Sequence, residues 1–223
     1  MITVVEDFLS EDELALARDV MKESTFVDGA RTAGYRARRV KNNEQVSWSQ
    51  SVVREFQDHI LERIHSHPRM SAICLPRRVS RPLVSRSREG MGYGLHVDDA
   101  QIGESGEKNR SDISMTLFLS HPDEYEGGEL EILTPYGAAA FKLPAGQAIA
   151  YPSRFLHQVR TVTSGERVVA ICWMESHVRD EQEREILAEL DAVCRKLHGL
   201  APDAPETDLA FKARANLLRR WVA

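Results

Sequence analysis

The chain has 223 residues, 42% hydrophobic and 28% charged, with a formal net charge of −5. That length suits one domain, or one domain with a small appendage, and the composition lies far from the low-hydrophobicity, high-charge corner of disordered chains. The acidic balance gives no reason to expect nucleic acid as a partner, Glu6 and Asp7 stand where a signal peptide needs basic residues, and no run approaches the ~20 apolar residues that span a bilayer. A cytoplasmic protein without membrane association is expected. Cys74, Cys172 and Cys194 are odd in number and lack C-x-x-C spacing, so they read as buried thiols rather than as disulfides or a zinc site.

In chain order, Ser10 followed by Glu13 is a capping-box pattern, and Leu14, Ala17 and Val20 then mark one apolar face, which predicts a helix over 10–24. Val53, Phe56, Ile60 and Ile64 predict a second helix from Val46 to His65. Between them the stretch from Asp28 to Asn43, with Arg31, Arg36, Arg38, Arg39 and Lys41 and the hinge-capable Gly29 and Gly34, reads as a long loop at a pocket mouth that selects substrate. From about Ile73 to Glu175 the chain turns to short β-rich runs separated by turns. After Arg179 helical spacing returns through Ile186, Leu187, Leu190, Val193 and Leu197; a proline-bearing joint at 201–206 precedes a last helix from Leu209 to Trp221. The expected fold is therefore mainly β with flanking helices: a double-stranded β-helix or jelly-roll core over 73–175, N-terminal helices on one sheet, and a C-terminal helical extension. Residues 1–178 would form the core domain and 179–223 the extension, whose apolar face suits a homodimer.

The chemistry-bearing pattern lies in the β region. His96 and Asp98 are two apart, so at the end of an extended strand both side chains leave from one face, and His157 follows in another β-run. Two imidazoles and one carboxylate leave three adjacent positions of an octahedral iron(II) open, as non-haem oxygenases require. A keto-acid can fill two of those positions and oxygen the third. His65 and His67 form a similar pair, but Pro68 follows at once, so they read as a helix end; Asp99 is expected to point away from Asp98. Arg167 comes ten positions after His157. A hairpin with the loop Thr163-Ser164-Gly165 would set Arg167 opposite Thr161, about 13 Å along the strand from His157 at ~3.3 Å per residue, a gap suited to a five-carbon diacid. Arginine suits that task because its planar fork bonds a carboxylate bidentately and keeps its charge.

With these residues stand Gly90-Met91-Gly92-Tyr93-Gly94-Leu95-His96-Val97-Asp98, Asp112-Ile113-Ser114-Met115-Thr116-Leu117-Phe118-Leu119-Ser120, Tyr125-Glu126-Gly127-Gly128-Glu129-Leu130, Tyr151-Pro152-Ser153 and Asn216-Leu217-Leu218-Arg219-Arg220-Trp221. In this order the series resembles the PKHD-type hydroxylases among the prolyl-4-hydroxylase-like oxygenases, over nearly the whole chain. The resemblance implies Fe(2+) on His96, Asp98 and His157, with 2-oxoglutarate anchored by Arg167. It further implies L-ascorbate as the reductant, and hydroxylation of a small-molecule or peptidyl substrate. Tyr93 matches an aromatic position of the wider family and is expected in the co-substrate pocket. Many prolyl hydroxylases carry a Tyr where this chain has Ser87, which leaves a second partner for the far carboxylate open between Ser114 and Thr116. The rival readings are a non-catalytic β-barrel that senses iron or 2-oxoglutarate, and a hydrolytic zinc site on the same fold.

Overall fold

The computed structural model describes residues 1–32, 37–47, 51–103 and 108–222, without the side chains of residues 31, 32, 37, 51 and 52. The first helix, α1 (Glu11–Glu23), starts on the expected capping box: Glu13 N–H donates to Ser10 Oγ at 3.3 Å, and Ser10 N–H donates to the Glu13 carboxylate at 2.6 Å. Helix α2 (Ser51–Ser66) starts later than the apolar spacing suggests, because Glu44–Val46 is a strand paired with both Phe26–Asp28 and Leu83–Arg88. A short helix, α3 (Pro68–Cys74), lies where the β-core was expected to begin. His67 caps it by accepting from Met70 N–H, and Pro68 fits its first turn because the missing N–H is not needed there. Helices α4 (Glu181–Leu200) and α5 (Pro205–Trp221) close the chain, the last one beginning at Pro205 rather than Leu209.

Among the described residues the main strands form two antiparallel sheets. The larger runs Thr3–Val5, Ala148–Pro152, Ile113–Phe118, Val162–Ser176, Leu83–Arg88, Glu44–Val46 and Phe26–Asp28, with Tyr125–Gly127 and Pro76–Val79 also pairing along Val162–Ser176. The smaller runs Gly137–Phe141, Leu130–Thr134, His157–Val159, Gly92–His96 and Lys41–Asn42. One apolar cluster joins Leu130 and Ile132 of the smaller sheet to Phe118, Ile149, Tyr151 and Val169 of the larger, so the two sheets face each other as the jelly roll requires.

Strand periodicity explains how the larger sheet is buried on both sides. Val168, Ala170, Cys172 and Met174 join Met115, Leu117, Ala148 and Ala150 in a second cluster, with Leu14, Ala17 and Val20 of α1, Phe56, Ile60 and Ile64 of α2 and Met70 and Cys74 of α3. The alternate residues Arg167, Val169, Ile171 and Trp173, with Ser114 and Thr116 from the neighbouring strand, face the space between the sheets. The N-terminal helices thus cover the outer face and leave the inner face for chemistry. Helix α4 packs against α3 and α5 and extends the helical layer.

The expected hairpin over 157–167 is not present. Residues 163–165 lie within the strand Val162–Ser176, where Ser164 pairs with Glu126 and Gly165 with Tyr125, and the chain passes between the sheets at Arg160 and Thr161. His157 and Arg167 therefore sit on facing sheets, not on adjacent strands. Gly165 does adopt the expected positive φ of 75°, but it serves a close approach: an added Cβ would stand 2.0 Å from the Glu124 carbonyl oxygen. Gly90 shares that backbone region, at φ 79°, and meets nothing within 4 Å. Gly90→Ala should therefore cost only the left-handed backbone penalty, about 1 to 2 kcal/mol, whereas Gly165→Ala should cost more than about 3 kcal/mol because backbone must also move. Urea unfolding of the two variants measures both; equal losses would contradict the close approach at Gly165.

Candidate metal centre and adjoining cavity

His96 ends the strand Gly92–His96, His157 begins the neighbouring strand, and the two are direct register partners. Asp98 follows two residues past the first strand. Pairing thus brings the two imidazoles together, and a side-chain N or O atom from each of His96, Asp98 and His157 lies within 4.8 Å of the others. His96 Nε2 is 3.9 Å from Asp98 Oδ1, and His157 Nε2 is 3.8 Å from Asp98 Oδ2. Both imidazoles are oriented in the same way. His96 Nδ1 faces the Gly94 carbonyl at 2.8 Å and His157 Nδ1 the Phe155 carbonyl at 3.0 Å. A carbonyl only accepts, so each Nδ1 carries a proton and each Nε2 is the nitrogen turned toward the cluster. Burial, and then the neighbouring His157, push His96 down to about 4, which favours its neutral form at physiological pH. Tyr93 stacks on His96 at 3.6 Å between ring centroids with 14° between planes, which limits rotation of that imidazole. Two imidazole nitrogens and one carboxylate, arranged by partners outside the cluster, fit a first-row divalent metal.

The cluster opens on a cavity of about 100 Å³ between the sheets, which is also lined by Tyr93, Ser114, Thr116, Tyr151 and Arg167. Arg167 is 3% exposed and its Nε has no hydrogen-bond partner. Burial lowers its affinity for its proton, and the surrounding groups that favour the charge are first the phenols Tyr125 and Tyr151, with Glu129 contributing least. The Tyr125 hydroxyl is likewise buried without a hydrogen-bond partner. Ser87 stands directly opposite Arg167 in the sheet register and lines the cavity, too short to fill the space a tyrosine would take. Gly128 makes the approach possible: an added Cβ there would stand 2.9 Å from Arg167 Cδ and 3.1 Å from the Tyr125 ring. A buried guanidinium with an unpartnered Nε, beside a phenol, fits a carboxylate.

Of the remaining candidates, Thr116 lies on the inner face beside the Tyr151 phenol, which burial raises. Ser114 is already engaged, donating to Asp98 Oδ2 at 2.5 Å. Asp99 does not point away as expected. It lies at the cavity rim, where the strand has ended and alternation no longer applies. Of the basic segment, Lys41 reaches the cavity. Its amine lies 5.5 Å from the Tyr93 ring centroid and is lowered by burial to about 8, with Asp98 and then Asp28 opposing. Arg38 and Arg39 are exposed and do not line it, while Arg36, Gly34 and the Arg31 side chain lie outside the described residues. Tyr125 and Tyr151 were missed as site residues, although both sit in motifs that the sequence displays.

Residues 82–175 match the family described as the 2OG-Fe(II) oxygenase superfamily. A PKHD-type hydroxylase of Acaryochloris marina is 44% identical over 222 residues, covering 100% of both chains, and one of Hyphomonas neptunium is 40% identical over 98% of each. In fold, the chain is similar to a solved prolyl hydroxylase in complex with a hypoxia inducible factor oxygen degradation domain peptide fragment, from Trichoplax adhaerens. That likeness has a TM-score of 0.55 at 14% identity over 83% of this chain and 86% of that one. Hydroxylase relatives of full length set aside the sensor and zinc-hydrolase readings. The chain belongs to the PKHD-type hydroxylases of the 2-oxoglutarate- and Fe(II)-dependent oxygenase superfamily.

Proposed function

We propose that His96, Asp98 and His157 hold the Fe(II) of this dioxygenase and that Arg167 anchors the far carboxylate of 2-oxoglutarate. One observation carries the reading: a two-imidazole, one-carboxylate cluster shares a cavity between the sheets with a buried guanidinium that has an unpartnered Nε. When bound, Fe(II) and 2-oxoglutarate supply the oxidising power, coupling oxidative decarboxylation to succinate and carbon dioxide with hydroxylation of a substrate. The chain supplies placement. The Gly94 and Phe155 carbonyls keep each Nε2 aimed inward, Tyr93 holds the His96 ring, and the burial of Arg167 limits solvent around the guanidinium. Thr116, with the Tyr125 and Tyr151 phenols, is the better second contact for that carboxylate, since Ser114 has given its single proton to Asp98.

The same reading takes L-ascorbate as the reductant that keeps iron ferrous and a small-molecule or peptidyl substrate, which enters past Lys41 and Asp99. It keeps residues 1–178 as the dioxygenase domain and 179–223 as a helical extension. A homodimer through that extension is supported by Ile186 and Val193, 45% and 50% exposed and seven apart on α4. A cytoplasmic location is supported by three buried, unpaired cysteines, and no helix among the described residues is long and apolar enough to cross a membrane.

His96→Ala and His157→Ala should each abolish conversion of 2-oxoglutarate to succinate and weaken Fe(II) binding while leaving the far-ultraviolet circular dichroism unchanged. Parental Fe(II) affinity in either variant would remove that residue from the ligand set. Arg167→Ala should raise the dissociation constant for 2-oxoglutarate by roughly two to three orders of magnitude, because a buried carboxylate without its cation costs about 3 to 4 kcal/mol at ~1.4 per decade. Arg167→Lys should fall between, keeping the charge and losing the fork. Titration of 2-oxoglutarate into anaerobic, Fe(II)-loaded protein reads both. An Arg167→Ala protein that binds as tightly as the parent would place the anchor elsewhere.

A further inference from the structure

The three candidate ligands are not held alike. Each histidine lies in a strand and is oriented by a backbone carbonyl two residues earlier. Asp98 lies beyond the strand, in a stretch without regular structure, so backbone pairing does not fix its carboxylate. Its orientation comes from the opposite sheet. Ser114 Oγ donates to Asp98 Oδ2 at 2.5 Å, and Ser114 and Ser153 hydroxyls are 2.7 Å apart. A hydroxyl has one proton. Ser114 spends its proton on Asp98, so Ser153 must be the donor to Ser114, and the order of the chain is fixed: Ser153, then Ser114, then Asp98. Both serines are 2% exposed, and bulk water therefore offers no ready replacement for either bond. Both are also anchored in backbone. Ser114 lies within Ile113–Phe118, paired to Tyr151 on one side and Trp173 on the other, and Ser153 N–H donates to the Asp112 carbonyl at 3.1 Å.

We infer that Ser114 and Ser153 form a two-hydroxyl relay that positions the Asp98 carboxylate for the metal, with Ser114 acting directly and Ser153 only through Ser114. The inference rests on the proposed role of Asp98 as a ligand. It gives Ser114 a different task from the co-substrate contact that the sequence suggested. Asp98 Oδ2 accepts from the larger sheet, and the carboxylate as a whole is turned toward two imidazoles carried by the smaller sheet. The relay is thus a polar tie across the two sheets at the metal centre, and it makes the site depend on their spacing.

The test is anaerobic titration of Co(II) into the protein, followed by its visible absorption, which reports ligand number and geometry as well as affinity. Ser114→Ala should weaken Co(II) binding by roughly 10- to 100-fold and change the spectrum, as loss of an outer partner of a metal ligand does. Ser153→Ala should weaken it less, by about 3- to 10-fold. Because Ser153 acts only through Ser114, the double variant should match Ser114→Ala to within about 2-fold instead of multiplying the two losses. Ser114→Thr, which keeps the hydroxyl, should recover most of the affinity, and thermal melting of the metal-free proteins checks that each is folded. Parental Co(II) affinity in folded Ser114→Ala overturns the inference, and so do multiplying effects in the double variant. It is also overturned if Ser114→Ala weakens 2-oxoglutarate at saturating metal while leaving metal affinity intact. If parent and His96→Ala proteins bind Co(II) alike, the proposed ligand set fails first and the relay with it, a result separable from failure of the relay alone.

Discussion

A guanidinium taken out of water is a cost that the rest of a fold must offset, and Arg167 is such a group, buried and with an Nε that has no hydrogen-bond partner. Its strand, Val162–Ser176, can bear it because the opposite face is among the best packed in the molecule. Val168, Ala170, Cys172 and Met174 lie against α1, α2 and α3, so the backbone that carries Arg167 cannot relax toward solvent. On the inner face the guanidinium lies 5.4 Å from the Phe118 ring, with Gly128 against its stem and the Tyr125 phenol beside it. Each of these contacts shapes the space without neutralising the charge. The proposed carboxylate anchor is thus held in place by the packing of its own strand.

The proposed metal cluster rests on the facing sheet. Direct pairing of His96 with His157 places two imidazoles side by side, and local carbonyls set both tautomers. Asp98 is tied to the opposite sheet through Ser114. The site therefore belongs to the interface between the sheets and not to either one, while α1, α2 and α3 pack on the outer face of the larger sheet. Iron and 2-oxoglutarate would add bonds across the same gap, so their binding and the closure of the sandwich should reinforce each other.

Much of this was legible in the residues. The capping box at Ser10 and Glu13 forms as a local hydrogen-bond pattern, and local patterns need no knowledge of the partner strands. The spacing of His96 and Asp98, with the later His157, pointed to one cluster through strand alternation. What the sequence hid was mostly long-range. The Thr163-Ser164-Gly165 stretch has good turn residues, yet tertiary pairing with Tyr125 and Glu126 draws it into a strand, and no local propensity reports that. Val46 looked helical because an apolar residue fits either period; its burial comes from strand pairing with Phe26. Helix α3 was readable after all, from His67 followed by Pro68, but was taken for the end of α2. The roles of Ser114, Tyr125 and Tyr151 follow from which sheet face each occupies, and that requires the register.

The central claim is that one cavity binds a metal on His96, Asp98 and His157 and a dicarboxylate keto-acid on Arg167. The most direct measurement is a crystal structure of the protein grown anaerobically with Mn(II) and N-oxalylglycine, an inert analogue of 2-oxoglutarate. The expected result is one metal bonded to Nε2 of both histidines and to an Asp98 oxygen at about 2.0 to 2.2 Å, with the far carboxylate of the analogue forked onto the Arg167 guanidinium. A metal bound elsewhere, or an analogue whose far carboxylate turns away from Arg167, would contradict it.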